Sequence, residues 1–255
     1  MQRMYNEPLI ITGCPKSGTT ALLASVVLFP DCRVSYETGV HVFPHPVRRL
    51  RERLHTFQTE VWRPQWGGQQ AFAAAVETAE QKGLAAALHD LYKDAVVYGD
   101  KMPIMQSHNV ASIVARWPKA RIVMCIRDGR DFIASSMRHH DLEGPAHPWI
   151  CPTPNAAQHI WLDVMRTWSE QKPLLARDGT RYIELRYEEA MQNPQAALRN
   201  VAQFAGLNPT DEQVMHAAQD YKPTNLGYWR DRIPDVENQI NEEMRDMLRR
   251  WGYMP

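Results

Sequence analysis

Chemistry in this 255-residue chain is concentrated where short apolar runs end. The first run, PLIIT, is followed by GCPKSGTT (residues 13–20) and then by the helix-like stretch ALLASVVLF. A glycine-rich turn between a strand and a helix aims successive backbone N–H groups and a helix N-terminus at whatever anion sits there. Gly13 and Gly18 keep the spacing of an ATP-binding loop. Thr19, however, stands where such a loop carries its lysine, and the only lysine, Lys16, lies inside the turn. The octet therefore points to a phosphate-like ligand and away from magnesium-ATP, with a plain Gly/Ser turn as the alternative.

Two further run ends carry charged groups. RIVMCIRDGRDFIASSM places Arg127 at the carboxyl end of a strand and Ser135 eight residues on, in the following helix. An arginine there can grip a phosphate bidentately while the hydroxyl adds a hydrogen bond. A solvated turn with internal ion pairs is the competing reading of RDGRD. YGDKMP puts Lys101 at the same edge, and Glu37, in CRVSYETGVHVF, stands in the loop after the first helix and returns toward the same rim.

The elements that must position these residues follow from periodicity. Four runs rich in Val, Ile and Tyr read as buried strands: 8–12, 95–99, 121–126 and 181–185. Helical spacing covers 17–29, roughly 46–60, 69–93, 106–116, 129–139, 155–176, 194–205, 211–219 and 236–250. This alternation predicts an α/β fold in three layers, a mostly parallel central sheet of four to five strands flanked by helices, with ligands at the carboxyl ends of the strands. No linker or repeat divides the chain, so residues 1–255 are expected to form a single domain. The Pro- and Gly-rich segment 141–155 reads as a long loop, either a lid over an acceptor or a surface excursion.

The totals exclude several classes. Acidic and basic residues balance at 29 each, which gives no bulk electrostatic reason to expect nucleic acid or an anionic membrane as partner. Cys14, Cys32, Cys125 and Cys151 show neither zinc-site nor disulfide spacing, and no metal is expected. The first residues run almost at once into a strand without a leader or anchoring helix, so a soluble cytoplasmic protein without membrane insertion is expected. No signal for an oligomeric interface is visible.

Taken together, these segments resemble the sulfotransferases that use 3′-phosphoadenosine-5′-phosphosulfate (PAPS). Pro15-Lys16-Ser17-Gly18-Thr19-Thr20 resembles the family's 5′-phosphosulfate loop, and Arg127 with Ser135 resembles its 3′-phosphate site. LRYEEAMQNP resembles a further family segment, which implies that Tyr187 lies beside the nucleotide. The pattern is most similar to the tyrosylprotein sulfotransferase branch: Glu37-Thr38, Asp100-Lys101-Met102-Pro103, Arg127 to Arg130, Trp229 to Pro234 and Gly252-Tyr253 recur in order. Lys16 replaces the branch's arginine. Gly227-Tyr228 replaces its Ser-Lys, so Arg230 is the expected substitute contact and a peptide tyrosine as acceptor is placed in doubt.

The resemblance implies in-line transfer of a sulfuryl group to an acceptor hydroxyl of a small molecule, a carbohydrate or a tyrosine-like phenol, catalysed mainly by positioning and charge. Lys16 would neutralise the departing phosphate oxygen, Lys101 would hold the sulfonate oxygens, and Glu37 would act as general base. His41, His108, His139 and His140 are rivals for the base. Trp62, Trp66, Tyr187 and Trp229 are candidates to stack on adenine, with only Tyr187 supported by a motif. A P-loop kinase of a small molecule and a non-catalytic nucleotide-binding protein remain as alternative functions.

Overall fold

A computed structural model describes residues 7–103, 108–145, 149–177, 181–219, 221 and 226–255. The apolar run LIITG forms β1 (Leu9–Gly13), buried along its whole length. It pairs in parallel with β3 (Val97–Lys101) on one side and β4 (Arg121–Ile126) on the other. β2 (Cys32–Tyr36) adds to the outer edge of β3, and β5 (Arg181–Arg186) to that of β4. The sheet therefore has five parallel strands in the order β2-β3-β1-β4-β5.

β1 leads through α1 (Thr19–Val26) toward β2, whereas β4 leads through α6 (Gly129–Glu143) and α7 (Pro154–Arg177) toward β5 on the other side. Chain leaving β1 and β4 thus diverges, and a crevice opens between their carboxyl ends, where open α/β sheets bind ligands. Gly13 is level with Cys125, and Ile11 with Lys101, so the ends of the three central strands share one rim. The third chemistry-bearing residue, Arg127, follows β4 directly.

Side chains alternate across the strands and divide the core in two. Leu9, Ile11, Val34, Val123 and Cys125 pack under α1, α9 (Pro194–Ala205) and α10 (Asp211–Ala218). Ile10, Ile122, Met124 and Ile126 face the other layer. That layer includes α3 (Gly68–Lys82), α4 (Leu84–Tyr92), α6, α7, and the short helices α11 (Trp229–Arg232), α12 (Val236–Gln239) and α13 (Glu242–Arg250). The remaining helices are α2 (Pro46–His55), α5 (His108–Arg116) and α8 (Tyr187–Gln192).

Several boundaries differ from the sequence expectation for identifiable reasons. β2 is absent from the predicted strands because CRVSY is no apolar run; an edge strand buries alternate residues, and Glu37 consequently follows a strand end and not merely a helix. The stretch 69–93 is two helices because Gly83, at φ +88°, interrupts it. The C-terminal stretch likewise breaks after Gln239, and Asn241 caps α13 by accepting from the Met244 N–H. α6 continues four residues past its expected end at 139. The first residues of the helix expected at 106–116 and part of the 141–155 loop lie outside the described residues.

His41 is fully buried, its ring packed against Tyr92, Tyr98 and Trp117 at centroid distances of 5.4–6.0 Å. Its ring nitrogens have no hydrogen-bond partner among the described residues. Burial, reinforced by the charge of Arg116, pulls its pKa down to about 3. The neutral ring belongs to the core, which removes His41 as a rival for the catalytic base. Because the unfolded chain binds this proton more tightly, stability is complete above pH 6.5 and declines as pH falls toward 3, by up to about 1.4 kcal/mol per pH unit. Chemical denaturation at stepped pH should therefore show a shallower acid slope in His41→Leu than in the wild type.

Candidate functional site

The phosphate-type loop is held by its own backbone geometry. Lys16 adopts φ +65° and Gly18 φ +86°, both in the left-handed region. Ser17 closes the turn, its N–H and hydroxyl both donating to the Cys14 carbonyl at 3.1 and 2.6 Å. Gly18 precedes α1 and provides no side-chain cap, so the first-turn N–H groups of α1 have no capping side chain and remain directed at an anion. A Cβ at Gly18 would stand 2.6 Å from the Tyr187 ring, and this close approach is what glycine permits.

Arg127 connects the loop to the far side of the crevice. One Nη donates to the Lys16 carbonyl at 2.8 Å, and the guanidinium lies 4.4 Å from the Tyr187 ring centre. Asp131, buried one turn on, is 3.7 Å from Arg127 and accepts from the backbone N–H groups of Gly227 and Trp229 at 3.0 and 3.1 Å. That carboxylate therefore fixes the C-terminal loop against α6.

A cavity of about 270 Å³ opens between these elements, lined chiefly by Lys16, Gly18, Thr19, Thr20, Arg127, Ser135 and Tyr187. Arg138, His139 and Tyr228 complete its wall. Pro15 and Ser17 are buried and shape the loop from below. Arg230 is placed otherwise than the resemblance implied. It is exposed, lies 4.6 Å from the Trp229 ring with its Nη1 against Gly227, and is absent from the lining. Arg138, one helical turn after Ser135, takes the position a second phosphate contact needs. The i, i+3 spacing in SSMR was the sequence signal for it.

At the neighbouring strand end, Lys101 is almost completely buried and its ammonium donates to the Glu37 carboxylate at 2.5 Å. The same ammonium lies 3.8 Å from the Tyr36 ring centre. Burial lowers the pKa of Lys101, while Glu37 and, further down, Asp100 hold its proton on. Lys16 is also lowered, first by burial; Glu143 opposes this, and the charges of Arg127, Arg138 and Lys101 add to it. The two lysines thus sense each other across the rim. Asp100 is pushed up to about 6 by burial, against the pull of the Ser35 hydroxyl and the turn amides that donate to it.

The segment after α6 returns over the loop. Trp149 lies 4.7 Å from the Lys16 ammonium and edge-on to His139. Ser136 pins it, donating to the Trp149 carbonyl at 2.6 Å and accepting from the Cys151 N–H at 2.9 Å. His139 is itself paired with Glu143 at 2.7 Å. His140 lies on α6 outside the cavity lining, and the side chain of His108 lies outside what the structure describes. Of the aromatic candidates, only Tyr187 lines the cavity. Trp62 is core, packed edge-on to Tyr92 with Trp66 beside it, and Trp229 is buried 4.5 Å from Arg130.

Arg130 ties this region to the C-terminus. It pairs with Asp128 and Glu237 and donates to the Tyr253 carbonyl at 2.7 Å. Glu188 accepts from the Asp128 N–H and from the Tyr253 hydroxyl.

The family model described as "Sulfotransferase family" matches residues 8–212, and the chain belongs to that family. It is 24% identical to protein-tyrosine sulfotransferase A of Caenorhabditis elegans over 97% of this chain and 67% of that protein. It is also 24% identical to the Mycobacterium tuberculosis omega-hydroxy-beta-dihydromenaquinone-9 sulfotransferase Stf3, over 58% of this chain and 39% of that one. Among solved structures, the sulfotransferase domain of the Synechococcus PCC 7002 olefin synthase superposes with a TM-score of 0.66 at 16% identity, covering 100% of this chain and 98% of that one. Mouse sulfotransferase SULT7A1, solved with PAP, gives 0.51 at 15% identity, covering 96% and 82%. These structures share the fold.

Gly18→Ala tests the close approach of loop and ring. The left-handed φ and the 2.6 Å contact should cost about 1–3 kcal/mol, read as a lowered thermal midpoint. Adding Tyr187→Ala should restore part of that loss, because the contact but not the φ strain is relieved.

Proposed function

We infer that this chain transfers a sulfuryl group from PAPS to an acceptor hydroxyl. The observation that carries the reading is the shared rim: the Lys16 loop and the Arg127, Ser135 and Arg138 set line one cavity, and the Lys101–Glu37 pair stands at the adjacent strand end. The donor set fits a nucleotide with phosphate at both ends. The loop amides, Lys16, Thr19 and Thr20 would hold the 5′ side. Arg127, Ser135 and Arg138 would hold the 3′-phosphate, with Tyr187 beside the ring system. When bound, the nucleotide supplies the sulfuryl group and leaves as 3′-phosphoadenosine-5′-phosphate (PAP).

Lys16 is placed to balance negative charge at the 5′-phosphate, and its partial burial strengthens that interaction. Lys101 directs an ammonium into the same rim from β3. Glu37, about a third exposed and at the cavity side of the lysine pair, accepts the acceptor's proton. Acceptors named for relatives, a protein tyrosine and a hydroxylated menaquinone, suggest a phenol or alcohol carried by a small molecule, carbohydrate or peptide. Four buried free cysteines support a reducing, cytoplasmic setting for the reading, and among the described residues no helix is long and apolar enough to cross a membrane.

Calorimetric titration with PAP in the absence of magnesium tests the nucleotide assignment. Arg127→Ala and Arg138→Ala should each weaken binding about 10- to 100-fold, the value of one charge-assisted contact, while Arg230→Ala stays near wild type. Preference for magnesium-ATP would return the loop to the kinases. Screening the wild type with PAPS and a panel of phenols, primary alcohols and tyrosine peptides then gives an assay. In it Glu37→Gln should lower kcat about 10²- to 10⁴-fold and leave PAP affinity unchanged. An unaffected kcat would reassign the base, and turnover absent from every acceptor would favour a nucleotide-binding role without catalysis.

A further inference from the structure

Glu37 sits in a conformation that few non-glycine residues adopt, with φ +51°. Left-handed backbone at a loop position persists only when the surroundings fix it. Its own N–H donates to the Lys101 carbonyl at 2.8 Å, which anchors one point of the turn. The rest of the anchoring converges on a single carboxylate that the transfer chemistry does not use, that of Asp100.

Asp100 is completely buried on β3, next to Lys101. Its Oδ1 accepts from the Ser35 hydroxyl at 2.9 Å and from the Thr38 N–H at 3.1 Å. Its Oδ2 accepts from the Gly39 N–H at 2.6 Å. Ser35 precedes Glu37 by two residues, and Thr38 and Gly39 follow it directly, so the carboxylate grips the turn on both sides of the proposed base. Ser35 and Thr38 are themselves buried, so no solvent competes for these bonds. Two backbone donors meet two separate oxygens, an arrangement a carboxylate accepts in full. An amide in its place would set an NH₂ group against one of the N–H groups.

We propose that Asp100 is the positioning residue for Glu37, holding the turn that carries the base so that its carboxylate meets Lys101 and the acceptor hydroxyl. This rests on the assignment of Glu37 given above. Asp100 touches neither nucleotide nor acceptor and acts through the turn alone, which separates its effect from general support of the fold.

A double-mutant cycle reads that difference, using PAPS and whichever phenol or alcohol gives the highest wild-type turnover. Asp100→Asn should lower kcat about tenfold or more, with the Kd for PAP within about twofold of wild type. In a Glu37→Gln background the same substitution should change kcat by less than about twofold, because the group it positions has already been removed. An equal loss in both backgrounds, or a kcat near wild type for Asp100→Asn, overturns the proposal. Should Asp100→Asn lack a cooperative thermal transition, Ser35→Ala replaces it in the cycle: a loss seen only with Glu37 present supports the proposal, and an equal loss in both overturns it. If Glu37→Gln alone leaves kcat unchanged, the base assignment fails and this inference with it. A failure confined to Asp100 leaves PAP binding and the Glu37 effect intact.

Discussion

The parallel pairing of β1 with β3 and β4 is the constraint on which the site depends. Both ladders require the central strand to be buried on two faces, and LIITG satisfies this with aliphatic side chains throughout. The approach to β3 is so close that a Cβ at Gly99 would fall 1.8 Å from the Leu9 carbonyl oxygen. Once this register is set, the end of β1 delivers the Lys16 loop, that of β3 delivers Lys101, and that of β4 delivers Arg127. No long-range search by flexible loops is needed to bring three cations to one rim.

Placing three cations together has an electrostatic cost, which the site meets with local partners. Glu37 accepts from Lys101, Asp131 stands near Arg127, and the rings of Tyr36, Trp149 and Tyr187 face Lys101, Lys16 and Arg127. Aromatic faces attract a cation without neutralising it. A site built in this way keeps its positive potential for an anionic ligand while remaining foldable in its absence, which is the electrostatic character expected of a polyanionic nucleotide site.

Much of this was legible in the sequence, and the exceptions share a cause. The four buried strands announced themselves as apolar runs, and the loop, Arg127, Ser135 and Tyr187 by glycine, charge and spacing. β2 did not, because an edge strand need bury only alternate residues and CRVSY carries as many polar as apolar ones. Arg138 and Tyr228 were missed, and His139 was considered only as a base, because lining a cavity depends on which helix face meets which loop, a tertiary property. Arg230 was assigned by sequence neighbourhood, whereas stacking on Trp229 turns it elsewhere. His41 illustrates the converse: its residue type suggested chemistry, and only packing against Tyr92, Tyr98 and Trp117 identifies it as core.

Arg130 extends the foundation of the nucleotide site well beyond its neighbours in sequence. Through one guanidinium the turn after β4 is joined to Glu237 and to the carbonyl of Tyr253, and the Tyr253 hydroxyl returns to Glu188 beside the same turn. Residues more than a hundred positions downstream of Arg127 therefore share its mechanical fate. A map of mutational tolerance along this chain would show sensitive positions near its far end that touch no ligand, and their phenotype would be loss of nucleotide affinity, with the acceptor side spared.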